Sequence, residues 1–437
     1  MIKKIKTKLN GSIESKRLIS NIFSLATLQG VSYILPLLTF PYLIRILGAD
    51  FFGLLAFATA TITYFMILTD YGFDLSATRQ VSIYRDDKVK INEIYSSVMI
   101  IKVILAAIGF GVLVVLVLSV ERMNQYFEVY FITFGVVVGR VLFPVWLFQG
   151  MEKMKFITYL NIAAKVFFAI CIFIFVHQKS DYWMVPLFTA LGFIVSGIFA
   201  QYLVRKQFDV SFHWQSLEKI KCQLMDGWHV FLSRIYVNLY SVSNIIILGI
   251  MTGNTIVGYY SIAEKIMQAI SGLFQPILQA FYPYLSKLYS TSKKDFYTVF
   301  KRLNVILFFV SLFFTALSVL YSEQIVLLVS GDKNLEVVSV FSILAFSILT
   351  SPFGPSYTNG LLAIGENRQV SRVVRNTLYV NFIVVGPLIY YYQAIGLAMA
   401  WVFGQLIHVL LYLRAYQKAK RQISPEVIDK DDEKCVE

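Results

Sequence analysis

The chain has 437 residues, 57% hydrophobic and 16% aromatic but only 15% charged, with a formal charge of +13. A soluble domain carries about 25% charged residues, so this composition, with a mean hydropathy of +0.66, excludes an ordinary soluble protein. The excess positive charge does not indicate nucleic acid, because the chain has no long polar segment on which a basic patch would sit; it indicates membrane topology instead.

The basic start, Met1-Ile-Lys-Lys-Ile-Lys, leads into a long apolar segment that lacks a small-residue cleavage site, which reads as an uncleaved first span. A bilayer core about 30 Å thick is crossed by a helix of about 20 apolar residues. Twelve segments meet that length: 19–44, 51–69, 97–120, 126–149, 156–178, 182–204, 228–251, 256–285, 303–321, 337–364, 376–392 and 394–413. Barrel strands cross in about 9–11 residues, and backbone in lipid must satisfy its polar groups within the segment, so every span is expected to be helical. The expected fold is an all-α polytopic membrane protein, twelve transmembrane helices in two six-helix lobes around a central cavity. Its parts are a basic N-terminal segment (1–18), an N-lobe (19–206), an amphipathic linker (207–227), a C-lobe (228–416) and a tail (417–437).

Lys and Arg fix the orientation, since short loops left in the cytoplasm keep positive charge. Thirty fall in the termini and in one set of loops, and only Arg45, Arg122, Lys179 and Lys333 in the other. Both termini are therefore expected in the cytoplasm. Two inward loops are amphipathic: Trp214, Leu217, Ile220 and Leu224 share one helical face, and Phe296, Val299, Phe300 and Leu303 another. Each is either a helix in the lipid headgroup layer or a packed connector. The tail from Ser424 mixes charges without periodicity and is expected to be disordered.

Gly48, Gly53 and Ala58 open the second span at the spacing that Gly253, Gly258 and Ala263 repeat at the eighth. A weaker echo joins Gly150-Met151-Glu152-Lys153 after the fourth span to Gly365-Glu366-Asn367-Arg368 after the tenth. Six spans separate the copies, so the halves share an orientation and are related by an axis along the membrane normal, a transporter layout. Prolines at 36, 41, 144, 276, 283, 352, 355 and 387 lie within spans, where each removes a helix hydrogen bond and permits a kink.

Charge inside a membrane is expensive and usually functional. Arg140, Lys165 and Lys265 fall near mid-span and Arg234 somewhat shallower. These four are the candidate cations of a wet cavity suited to an anionic group such as phosphate, the alternative being interhelical ion pairs. Lys102 lies closer to a helix end and is expected to snorkel to the interface. Asp70 and Asp74, four apart, are expected to cap the helix or pair with Arg79, and with Glu264 they are the candidates for counter-charge or ion coupling. Glu264 either balances Lys265 or takes up a proton or Na⁺. His408 reads as a hydrogen-bonded helix contact, and Gly135-x3-Gly139 as close helix packing. Three cysteines give no disulfide framework. No hydrolase elbow, P-loop, HExxH or His/Cys cluster is present, so neither enzyme chemistry nor a bound metal has a visible seat.

The runs Tyr71-Gly72-Phe73-Asp74-Leu75-Ser76-Ala77-Thr78-Arg79, Phe148-Gln149-Gly150-Met151-Glu152-Lys153-Met154-Lys155, Tyr260-Ser261-Ile262-Ala263-Glu264-Lys265 and Ser351-Pro352-Phe353-Gly354-Pro355 resemble the Wzx-type O-antigen and polysaccharide flippases of the multidrug/oligosaccharidyl-lipid/polysaccharide exporter superfamily. The resemblance covers roughly 17–416. It implies a bacterial inner-membrane protein that moves an undecaprenyl-pyrophosphate-linked oligosaccharide from the cytoplasmic to the periplasmic leaflet, without a cofactor. It further implies a polysaccharide polymerase and a chain-length regulator as partners, no nucleic acid, and a central cavity into which Arg140, Lys165, Arg234 and Lys265 project. Two other readings stand beside it. One is a cation-coupled drug or metabolite exporter of the same fold, whose cavity would favour acidic and aromatic residues. The other is a membrane glycosyltransferase or polymerase acting on the same lipid-linked sugars, which would need a soluble catalytic domain or a sizeable outward loop.

Overall fold

The computed structural model describes residues 13–433, with side chains described from 35 to 421 apart from a few positions. Lys3, Lys4, Lys6, Lys8 and Cys435 lie outside the described residues. The described chain is helical throughout and contains no strand. Its first elements are α1 (Ile13–Asp70), α2 (Phe73–Ile83), α3 (Lys88–Ser119), the short α4 (Glu121–Asn124), α5 (Phe127–Leu142), α6 (Val145–Gly150), α7 (Met154–Phe175) and α8 (Met184–Phe208). There follow α9 (Leu217–Ser241), α10 (Ser243–Met251), α11 (Asn254–Ser271), α12 (Gln275–Thr291), α13 (Lys293–Leu320), α14 (Ser322–Ser330), α15 (Leu335–Thr350), α16 (Phe353–Ala363) and α17 (Asn367–Glu433). Among the described residues, eight helices are long and apolar enough to cross a membrane. Their surface is apolar as lipid requires: Val103, Ile108, Val115 and Leu118 of α3, and Ile306, Phe309, Phe313 and Leu320 of α13, are all exposed.

Breaks in the helices fall where the sequence marks them. Non-helical backbone at Gly48 divides α1 between the first two expected spans, and Gln393 divides α17 between the last two. Pro144 separates α5 from α6, and Pro352 stands directly before α16; at such points the missing N–H and the ring end the preceding helix. Pro36 and Pro41, by contrast, sit within continuous helix. The tail expected to be disordered from Ser424 is instead helical to Glu433.

The two halves of the repeat are related more loosely than their spelling. Gly48 has φ 70 and Gly253 has φ −119, yet each precedes a helix whose Ala58 or Ala263 is fully buried. The weaker echo is out of register. The Lys153 N–H donates to the Phe148 carbonyl and that of Glu152 to Gln149, while the Glu366 N–H donates to Leu361 and that of Gly365 to Leu362. These are Schellman caps, in which Glu152 and Gly365, not Gly150 and Gly365, occupy the equivalent positive-φ position.

The chain divides into two compact units, Met1–Asn238 and Leu239–Glu437. In the first, Phe73, Ile94, Tyr95, Val98, Trp146 and Phe148 form the centre of one core, and Leu43, Leu47, Ile172 and Val176 a second. α5 and α8 pack through small residues: a Cβ on Gly139 would stand 2.6 Å from the Phe193 carbonyl carbon, and one on Gly135 2.8 Å from Ala190 Cβ. That confirms the packing role of the Gly135-x3-Gly139 pair. The second unit packs α11 and α17 against α15, with Phe341, Leu344, Ala345 and Ile348 buried. Asn381 Nδ2 donates to Asn244 Oδ1 at 3.1 Å, and the Ser356 hydroxyl to Asn304 Oδ1 at 3.0 Å.

Of the two amphipathic stretches, Phe296, Phe300 and Leu303 are buried, which makes that one a packed connector. In the other, Ile220 and Leu224 pack on the first unit's core, while Trp214 and Leu217 are each 85% exposed.

Candidate functional site

Three local features bring charge to one place in the first unit. α1 ends at Asp70, and the chain turns through Tyr71 and Gly72, both at positive φ, before α2 begins. Gly72 suits this turn because it has no Cβ to resist φ 78, and because Val230 of α9 leaves no room for one. The turn puts the Asp70 and Asp74 carboxylates on the same cavity although they stand on different helices. On α5, the close packing of Gly139 on α8 fixes the position of the next residue, Arg140. α7 and α9 contribute polar residues four apart, Asn161 with Lys165 and Arg234 with Asn238, the spacing that places two side chains on one helix face.

The resulting cavity has a volume of about 530 Å³. Lys102, Arg140, Lys165 and Arg234 line it together with Asp70 and Asp74, and Trp146, Gln149, Phe143 and Phe193 complete the wall. Four cations against two carboxylates leave it net positive. Asp70 bridges two of the cations: its Oδ1 lies 3.2 Å from Lys102 Nζ and its Oδ2 3.1 Å from an Arg140 terminal nitrogen. Lys102 also donates to the Arg140 carbonyl at 3.3 Å. Arg234 pairs with Asp74. The Lys102 side chain is only 3% exposed, whereas those of Arg140 and Arg234 are 45% and 48% exposed. The two arginines thus combine an internal partner with open donors, a geometry that accepts a phosphoryl oxygen.

Two expectations are corrected here. Lys102 does not snorkel; it is buried, because Asp70 and a helix-end carbonyl supply the partners that water would otherwise provide. Neither Asp70 nor Asp74 pairs with Arg79: their partners are Lys102, Arg140 and Arg234. Of the candidate residues, Arg140, Lys165, Arg234, Asp70 and Asp74 come together. Lys265 and Glu264 belong to α11 in the second unit and are not among the residues lining this cavity. Glu264 is buried, and Lys265 Nζ lies 3.4 Å from Gln268 Oε1. His408 is a helix contact as expected, with Nδ1 3.0 Å from the Thr377 hydroxyl and its ring edge-on to Tyr412. Asn161 and Asn238 went unnoticed in the sequence; the signal was there, a polar residue four places from a deep cation in each helix. Among the described residues no group of His, Cys, Asp and Glu is placed to hold a metal.

A profile of the family described as polysaccharide biosynthesis protein matches residues 18–289. Among curated proteins, two bearing the name "Putative O-antigen transporter" are similar over nearly the whole chain. That of Escherichia coli (strain K12) is 32% identical over 397 residues, covering 90% of this chain and 95% of its own. That of Shigella dysenteriae is 30% identical over 401 residues, covering 90% and 99%. Among solved structures, the lipid II flippase MurJ in an inward closed conformation aligns with a TM-score of 0.71 at 13% identity, covering 92% of this chain and 90% of that one. An inward-facing multidrug resistance MATE family transporter of the MOP superfamily aligns with a TM-score of 0.66 at 15% identity, covering 90% and 98%. At such identities the likeness is one of fold.

Proposed function

Since the chain belongs to the polysaccharide biosynthesis protein family, we propose that it is a flippase, not an enzyme, and that it carries an undecaprenyl-pyrophosphate-linked oligosaccharide across the bacterial inner membrane from the cytoplasmic to the periplasmic leaflet. The names of its relatives, O-antigen transporters, support a glycan cargo. The observation that carries the reading is the cavity in which Lys102, Arg140, Lys165 and Arg234 outnumber two carboxylates. Each phosphoryl group of a pyrophosphate diester carries a negative charge, and neither it nor a sugar enters hydrocarbon without losing hydration. A net-positive cavity replaces that hydration, whereas it would repel the organic cations of a drug exporter.

In this reading the chain forms twelve transmembrane helices in two six-helix lobes, 19–206 and 228–416, around a central cavity, with both termini cytoplasmic. Arg140, Lys165 and Arg234 bind the pyrophosphate while the lobes rock and the lipid tail stays in the bilayer. Lys265, on the second unit, is a further candidate cation, and Glu264 is its counter-charge or the seat of a coupling H⁺ or Na⁺. A potential negative inside favours outward movement of an anion by about 2.3 kcal/mol per charge per 100 mV, so export has a driving force without ion coupling. A polymerase and a chain-length regulator receive the product on the far side.

Charge reversal tests the assignment. Arg140→Glu and Lys165→Glu, expressed in a strain lacking its own transporter, are expected to abolish surface polysaccharide while membrane fractionation shows normal insertion. Wild-type display from both would overturn it.

A further inference from the structure

The first unit holds a second cavity, of about 710 Å³, built on three of the helices that line the first. α2 contributes Asp74 to the one and Arg79 and Gln80 to the other; α3 contributes Lys102 to the one and Glu93 and Ser97 to the other. On α9 the division runs between Asp226 and Arg234. At 1.5 Å per residue the two levels are about 8 Å apart on α3 and about 12 Å on α9. Phe231 stands between them on α9, stacked on Tyr71 with ring centroids 4.5 Å apart.

The chemistry of the second cavity is different. Arg79, Lys90 and Lys219 face Glu93, Glu218 and Asp226, so its charge balances. Several of these groups are already engaged: Glu93 pairs with Lys90 at 2.5 Å and Lys219 at 2.7 Å, and Asp226 accepts from Gln80 Nε2 at 2.7 Å. Gln223 donates to Gln80 Oε1 at 2.5 Å. Arg79 and Glu218 are exposed to solvent, and the buried polar atoms left over are uncharged. Ser97 Oγ and Gln223 Oε1 are buried without a hydrogen-bond partner among the described residues, and such atoms are costly unless something pairs with them. Tyr84, 42% exposed, adds an aromatic wall.

We propose that this second cavity is a glycan subsite, holding the sugars next to a pyrophosphate seated in the first. The inference rests on the flippase reading. Charge balance disfavours an anion here, while hydroxyls donate and accept at once and so suit Ser97 and the Gln223 amide. An aromatic ring such as Tyr84 receives the apolar face of a sugar ring. The spacing of the two levels along α3 and α9 then fits one ligand with an anionic end and a polyhydroxyl end.

Cys222 lines this cavity and is exposed, whereas Cys171 is buried. In the purified full-length chain carrying Cys435→Ala, the lipid-linked oligosaccharide is expected to slow maleimide labelling of Cys222, and undecaprenyl pyrophosphate without sugar is not. Tyr84→Ala and Gln223→Leu, followed by thermal-shift titration, are each expected to weaken binding of the glycosylated lipid about tenfold, the effect of one good contact, and to leave the bare lipid unaffected. Because Tyr84 is half-exposed, its variant tests the site without disturbing the core. Equal protection by both lipids, or equal loss of both in the variants, would overturn the subsite and leave the flippase standing. Failure of the wild type to bind either lipid would overturn both.

Discussion

Lys102 and Asn381 are both buried on long apolar helices, 3% exposed each, yet one is held by a carboxylate and the other by an amide. The contrast extends through the two units. The first gathers ion pairs around a cavity, and the second, apart from the buried Glu264, carries neutral pairs, Asn244 with Asn381 and Asn304 with Ser356, between helices. Ion pairs kept half-open to a cavity are suited to exchanging partners with a ligand, while buried neutral pairs between helices hold those helices together. In the proposed function, that difference in chemistry is a difference in task.

The largest effect is expected from Asp70→Asn. It leaves the Lys102 ammonium buried beside a neutral amide, and loss of one partner of a buried pair costs about 3–5 kcal/mol. A detergent-solubilised melting curve should show the loss, and Asp70→Asn combined with Lys102→Met should recover stability without recovering transport. Recovery of transport as well would mean that the ions serve structure alone. A smaller effect belongs to Gly139→Val: overpacking against Phe193 costs about 1–3 kcal/mol and displaces Arg140, so stability and transport should fall together. Smaller still, Asn381→Leu should lower stability by about 0.6 kcal/mol, the mean for a membrane interhelical hydrogen bond, with transport close to wild type. A transport-dead Asn381→Leu would break the contrast between the units. Finally, Lys265→Gln should slow transport less than Arg140→Gln; the reverse order would move the anion site to the second unit.

Most of the helical pattern was legible because lipid leaves the backbone one solution, and the breaks at Gly48, Pro144 and Pro352 are local events that single residues announce. The cap after α6 was not. Glu152 holds the positive φ that Gly365 holds later, so spelling placed the two copies in the wrong register. The site was legible in its cations, since Arg140, Lys165 and Arg234 are conspicuous in apolar sequence. It was illegible in its pairing. Whether Lys102 reaches water or Asp70 depends on which helix end lies beside it, and the Tyr71-Gly72 turn that decides this brings together residues 32 positions apart.

The Asp70 carboxylate has a consequence for selectivity among anions. It already occupies part of the Arg140 guanidinium, so any incoming anion meets a competitor in place. A ligand with charge on adjacent phosphoryl groups engages Arg140 and a second cation together, and so outbids it. On the flippase reading, Asp70 is thus a built-in competitor at Arg140, favouring a ligand that reaches two cations at once.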